Sequence, residues 1–133
     1  MIIPKHYENL HILHENTMPN RAYYVPASSP MGILVANRED SDRFQLLNGQ
    51  WRFRCYDSVY NLQEKFYEKG YRTDGFDTVK VPGVWQNYGY DRHQYTNSRY
   101  PFPMDPPYVP YENPCGVYIH TFIYKQDSRA ACA

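Results

Sequence analysis

Long apolar runs are missing from this sequence. Nowhere do hydrophobic residues continue for the ~20 positions that a helix needs to cross a bilayer, and Met1–Leu10 (MIIPKHYENL) has no apolar stretch behind a basic start. The expectation is a protein with no membrane association and no export signal. Charge of one sign is missing too. Fourteen Lys and Arg balance fourteen Asp and Glu, so no basic field exists to hold nucleic acid. Cysteine is scarce. Cys55, Cys115 and Cys132 are an odd number without metal-type spacing, which reads as reduced thiols in a cytoplasmic protein.

What the chain has in excess is fifteen Tyr and eleven Pro, at a mean hydropathy of -0.76. Amphipathic rings and backbone breakers at that density point to β structure with ordered loops rather than aliphatic helices. A length of 133 residues, 42% of them hydrophobic, leaves room for one domain.

Residues 1–43 show neither helical nor strand periodicity and carry Pro4, Pro19, Pro26 and Pro30. They read as an extended arm, with Ile2, Ile3, Ile12, Leu13, Tyr23, Tyr24, Ile33 and Leu34 as its apolar contacts to a larger body. Residues 44–133 read as a separate β domain. Gln50–Tyr56 alternates, with Trp51, Phe53 and Cys55 opposite Gln50, Arg52 and Arg54, just after an Asn48-Gly49 turn signal. Asn61 is placed to cap a short helix through Glu68, with Leu62 and Phe66 sharing a face and Gly70 at its end. Thr78–Val81 is a β-branched strand closed by Pro82-Gly83. Trp85–Pro114 is a proline-dense loop, and long ordered loops of that kind are more often functional than idle. Val117–Tyr124 alternates with apolar residues on both sides, which predicts a central strand. Three strands make an all-β sandwich with too many edges, an unfinished one.

Val81-Pro82-Gly83-Val84-Trp85-Gln86, then Gly89-Tyr90 and Tyr95-Thr96-Asn97, is similar to the V-P-x-x-W-Q…G-Y…Y-T-N signature of the family 2 β-galactosidases. Pro106-Pro107-Tyr108-Val109-Pro110 with Glu112-Asn113-Pro114, Gly116, Tyr118 and Thr121-Phe122 resembles a second block of that family. Leu47-Asn48-Gly49-Gln50-Trp51-Arg52-Phe53 resembles the motif that opens its jelly-roll domain. The resemblance implies a galactose-binding-like jelly-roll sandwich, the N-terminal sugar-binding segment of a retaining β-galactosidase. Partners implied are a galactoside, the remainder of the enzyme chain and further copies of it. It also implies magnesium and sodium for the full-length enzyme, although none is assigned to this chain. His6-Tyr7-Glu8-Asn9 resembles the family's D-W-E-N, but His6 stands in place of the acidic magnesium ligand. Tyr124–Arg129 resembles a Y-x-Q-D-S-R found a few dozen residues further on in relatives. Either the strands between are deleted or the match is chance, and chance is favoured.

Retaining glycosidases work with two carboxylates roughly 5–5.5 Å apart. In the family these are glutamates of a (β/α)₈ barrel, and Glu8, Glu15, Glu39, Glu64, Glu68 and Glu112 match neither motif, so no catalytic residue is assigned. Asn97 is the one substrate-binding candidate. Its resemblance to the family's Y-T-N asparagine implies hydrogen bonds to galactose hydroxyls, for which a carboxamide offers both donor and acceptor. Trp85 has the right face for stacking on a sugar, but a packed Trp is the more common outcome. Tyr88, Tyr90, Tyr95, Tyr100, Tyr108 and Tyr111, interleaved with prolines, read as loop packing. His93 and His120 lack neighbouring ligand types, and Asp57, Asp74 and Asp77 read as turn and surface acids. Two other functions compete with a β-galactosidase segment: a free-standing carbohydrate-binding module, and a structural or assembly role carried by the arm.

Overall fold

The computed structural model describes residues 3–32, 37–95, 97 and 100–124. Ile2, Ile33, Leu34, Thr96, Cys132 and residues 125–129, all singled out above, lie outside them. Two compact units are present, one comprising Met1–Asn16 with Gly49–His120, the other Thr17–Asn48 with Thr121–Ala133.

The first unit is built on three antiparallel strands in the order β2-β1-β3, namely β1 (Gly49–Tyr56), β2 (Asp77–Val81) and β3 (Cys115–Ile119). β1 is central because it pairs with both neighbours, Gly49–Phe53 against β2 and Arg52–Tyr56 against β3. The expectation of a central strand at Val117–Tyr124 is therefore corrected. β3 begins at Cys115, ends at Ile119 and lies at an edge of the sheet. Pairing stops where the chain leaves the first unit after His120, and Phe122, Ile123 and Tyr124 are exposed.

Strand alternation and register put Trp51, Phe53, Cys55, Val79, Gly116 and Tyr118 on one face. Phe53 is fully buried there, with the rings of Tyr118, Tyr90 and Trp85 centred 4.6, 4.7 and 5.9 Å away. The opposite face, expected to be the polar one, is also covered. Val117 packs with Leu62 and Phe76, and Ile3, Tyr56, Phe66, Tyr71, Cys115 and Ile119 surround them. Arg54 fits on this face by laying its guanidinium 5.5 Å from the Tyr56 ring centre and 5.7 Å from that of Phe76. A sheet covered on both sides agrees with the all-β reading, and its two edges leave the sandwich open.

The expected helix from Asn61 to Glu68 is absent. Ser58, not Asn61, caps a single 3-10 turn (Val59–Asn61), its hydroxyl accepting from the Tyr60 N–H at 3.3 Å. Leu62 then drops into the core, and Glu64 turns back to accept from Tyr56 Oη at 2.6 Å and Tyr71 Oη at 2.8 Å. Those two bonds and the burial of Leu62 outweigh the weak helical tendency of so short a segment. Gly70 still marks a reversal, at φ 83.

The second unit contains no strand among the described residues. Its order comes from polar contacts between two segments. The Ser28 N–H donates to Asp42 Oδ1 at 2.9 Å, Arg43 Nε donates to Ser28 Oγ at 2.9 Å, and the buried Ser41 hydroxyl donates to the Pro26 carbonyl.

Candidate functional site

Two physical constraints shape the loop that leaves β2. Pro82 has no N–H and cannot extend the ladder. Gly83 lies beneath Tyr88, whose hydroxyl donates to the Lys80 carbonyl at 2.9 Å; a β-carbon at residue 83 would sit 2.6 Å from that hydroxyl and 2.7 Å from that carbonyl. A 3-10 turn, Trp85–Tyr88, follows and closes on Gly89 at φ 86, with the Tyr90 N–H donating to the Trp85 carbonyl at 3.3 Å. These contacts return both rings to the sheet. Trp85 lies against Gly116 and Phe53. Tyr90 sets its edge on Phe53 and donates through its hydroxyl to Asp77 Oδ2 at 2.5 Å, which raises its pKa to about 12.

Trp85 is thus half-buried and packed against the sheet. Among the tyrosines considered for a platform, Tyr88 and Tyr90 are tied to β2, and Tyr111 stacks on Tyr60 at 5.1 Å and 6°. Tyr95, Tyr100 and Tyr108 are exposed. His120 stacks on Trp51 at 4.9 Å, and His93 is exposed on the loop. Asn97 is exposed at a bend in the same loop, its side chain open to solvent. Gln86 Oε1 is the only buried side-chain polar atom among the described residues without a hydrogen-bond partner.

Gly116 and the Tyr90–Asp77 pair are the contributors that periodicity could not reveal. Gly116 stands in the family motif, but nothing in the spacing says that a ring covers it. Asp77 read as a surface acid because no local pattern announces a tyrosine thirteen residues away.

Four of the six glutamates are engaged in local contacts. Glu8 pairs with Lys5 at 3.0 Å, Glu15 with His6 Nδ1 at 2.7 Å and Glu68 with Lys65 at 3.1 Å, while Glu64 takes the two tyrosine hydroxyls. Glu39 and Glu112 are exposed. In the region resembling the family's magnesium segment, the polar side chains are engaged locally. His6 is turned to Glu15, Asn9 Oδ1 accepts from the His11 N–H at 3.0 Å, and no cluster of three His, Cys, Asp or Glu among the described residues is arranged to hold a metal. Cys55 and Cys115 are free and, by register, on opposite faces of the sheet; burial raises the pKa of both thiols and keeps them protonated. No helix among the described residues is long and apolar enough to cross a membrane.

Residues 44–131 match the family model described as "Glycosyl hydrolases family 2, sugar binding domain". The chain belongs to that family. Among family 2 relatives, it is 43% identical over 121 residues to a protein named beta-galactosidase from Actinobacillus pleuropneumoniae, covering 91% of this chain and 12% of that one. A beta-galactosidase from Staphylococcus xylosus is 37% identical over 123 residues, 92% of this chain and 12% of its own length. One from Vibrio vulnificus (strain YJ016) is 42% identical over 108 residues, 78% and 10% respectively. This family 2 chain therefore spans about an eighth of the curated relatives it matches.

Proposed function

We propose that this chain supplies the sugar-binding domain of a β-galactosidase, an enzyme that hydrolyses terminal β-D-galactosides with retention. Its sheet is the start of a jelly-roll sandwich completed by further chain. The catalytic glutamates belong to the rest of the enzyme, and Asn97 reaches from the long loop to hydrogen-bond galactose hydroxyls. The observation that carries this reading is the family match over residues 44–131, joined to relatives named beta-galactosidase of which the chain covers about 12%. The local pairing of Glu8, Glu15, Glu64 and Glu68 supports a non-catalytic role for this segment. The exposure of Asn97 supports contact with something outside the segment.

The test is a graft in which this chain replaces the matching 121 residues of the Actinobacillus pleuropneumoniae enzyme. Asn97→Ala in the graft removes one polar contact to the sugar, worth ~1–3 kcal/mol, and KM for a chromogenic galactoside rises accordingly. An unchanged KM returns Asn97 to a purely structural place at a turn.

A further inference from the structure

From Asp91 through Pro106, every described residue is exposed, and Pro107 is the first to be half-buried again. Tyr90 is therefore the last fixed point before Asn97, seven residues away, whereas Pro107 lies ten residues beyond it. Tyr90 is held twice. Its ring is edge-on to the fully buried Phe53 at 4.7 Å, and its hydroxyl donates to Asp77 Oδ2 at 2.5 Å. Asp77 is the first residue of β2 and is itself paired with Phe53 in the sheet. The backbone on either side, Gly89 at φ 86 and Asp91 at φ 72, is left-handed, so the chain turns sharply both into and out of Tyr90. Tyr90 is the last packed residue from which the exposed loop departs.

We infer that Tyr90, locked by its hydrogen bond to Asp77, is a positioning residue for Asn97, and so acts on galactoside affinity through a side chain that never touches the sugar. The inference rests on the assignment of Asn97 to substrate. Tyr90 keeps its ring packing without the hydroxyl, which separates aiming the loop from holding the core.

The experiment is a double-mutant cycle in the same graft. Tyr90→Phe raises KM for a chromogenic galactoside by roughly 3–10-fold, as expected for one lost hydrogen bond, with kcat changed less. Tyr90→Phe combined with Asn97→Ala is no worse than Asn97→Ala alone. Asp77→Ala reproduces Tyr90→Phe, and Asp77→Asn, which keeps a carbonyl acceptor, restores most of the affinity. An effect of Asn97→Ala with none from Tyr90→Phe overturns the positioning role and leaves the Asn97 reading standing, as does full additivity of the two. No effect of Asn97→Ala sinks the Asn97 reading and the inference with it. Hydrogen exchange on the same proteins reads the loop without turnover. The amides of Gly89 and Tyr90, bonded to the Gln86 and Trp85 carbonyls, exchange faster in Tyr90→Phe while those of β1 and β2 do not; equal exchange at these two refutes the anchor.

Discussion

The indole of Trp85 lies across Gly116, so that a β-carbon built on Gly116 would fall 2.5 Å from Trp85 Cε3 and 2.8 Å from Phe53 Cε2. The absence of a side chain on β3 is what lets a ring from the loop close over the sheet. Gly116→Ala forces Trp85 or Phe53 off its seat and costs about 1–3 kcal/mol, the range for overpacking. Urea unfolding of the chain checks it, and an unchanged midpoint would show that the ring moves aside freely.

Phe53 carries the first face of the sheet, being fully buried under three aromatic rings. Phe53→Ala removes about 3–5 kcal/mol, comparable to the whole reserve of a domain with so small a core. Near-UV circular dichroism should lose its aromatic signal at 25 °C. A variant that keeps both that signal and a cooperative melt would move the centre of the core elsewhere.

Glu64 gives the fold an acid dependence. Hydrogen bonds from Tyr56 and then Tyr71 hold its carboxyl below the ordinary 4.5. A depressed folded-state pKa contributes stability that is present above 4.5 and is lost as pH falls through the folded-state value. The Arg54 contact, 3.4 Å between side chains more than two-fifths exposed, adds little. Glu64→Gln should therefore destabilise the fold at pH 7 by about 1 kcal/mol after screening, seen as a lower melting temperature, and the gap should close as pH falls below 4.5 through the folded-state value. A gap independent of pH would mean that the carboxylate charge plays no part.

Turnover is not expected of the chain by itself. None of its six glutamates matches a catalytic motif of the family, and four of them are paired locally, which predicts no release of a chromogenic galactoside's leaving group at high protein concentration. Activity that co-purifies and vanishes with one of Glu8, Glu15, Glu39, Glu64, Glu68 or Glu112 would refute this.

β1 and β2 were legible because their signals are local, alternation after Asn48-Gly49 in one and β-branching before Pro82-Gly83 in the other. The errors arose where partners decide. The alternation of Val117–Tyr124 continues past the point where β1 stops pairing with it, so a period of two overstated the strand. Leu62 and Phe66 have helical spacing, yet distant rings draw Glu64 and Leu62 into turns. On the polar side of β1, Arg54 looked like a surface residue because its cover, Phe76, arrives from more than twenty positions away. In the loop, Asn97 is singled out by the motif alone, while the Tyr90–Asp77 hydrogen bond joins two side chains that no window of sequence brings together.

The long loop is moored at both ends to the central strand's neighbourhood. Trp85 and Tyr90 lie against Phe53 before it, and the Tyr111 carbonyl accepts from Ser58 Oγ at 2.5 Å after it. From Asp91 to Pro106 every described residue is exposed. The polypeptide bond there is consequently dispensable to the sheet: a protease nick beside the exposed Arg92 would leave two pieces still joined by the pairing of β1 with β3, cut in covalent connection yet not parted.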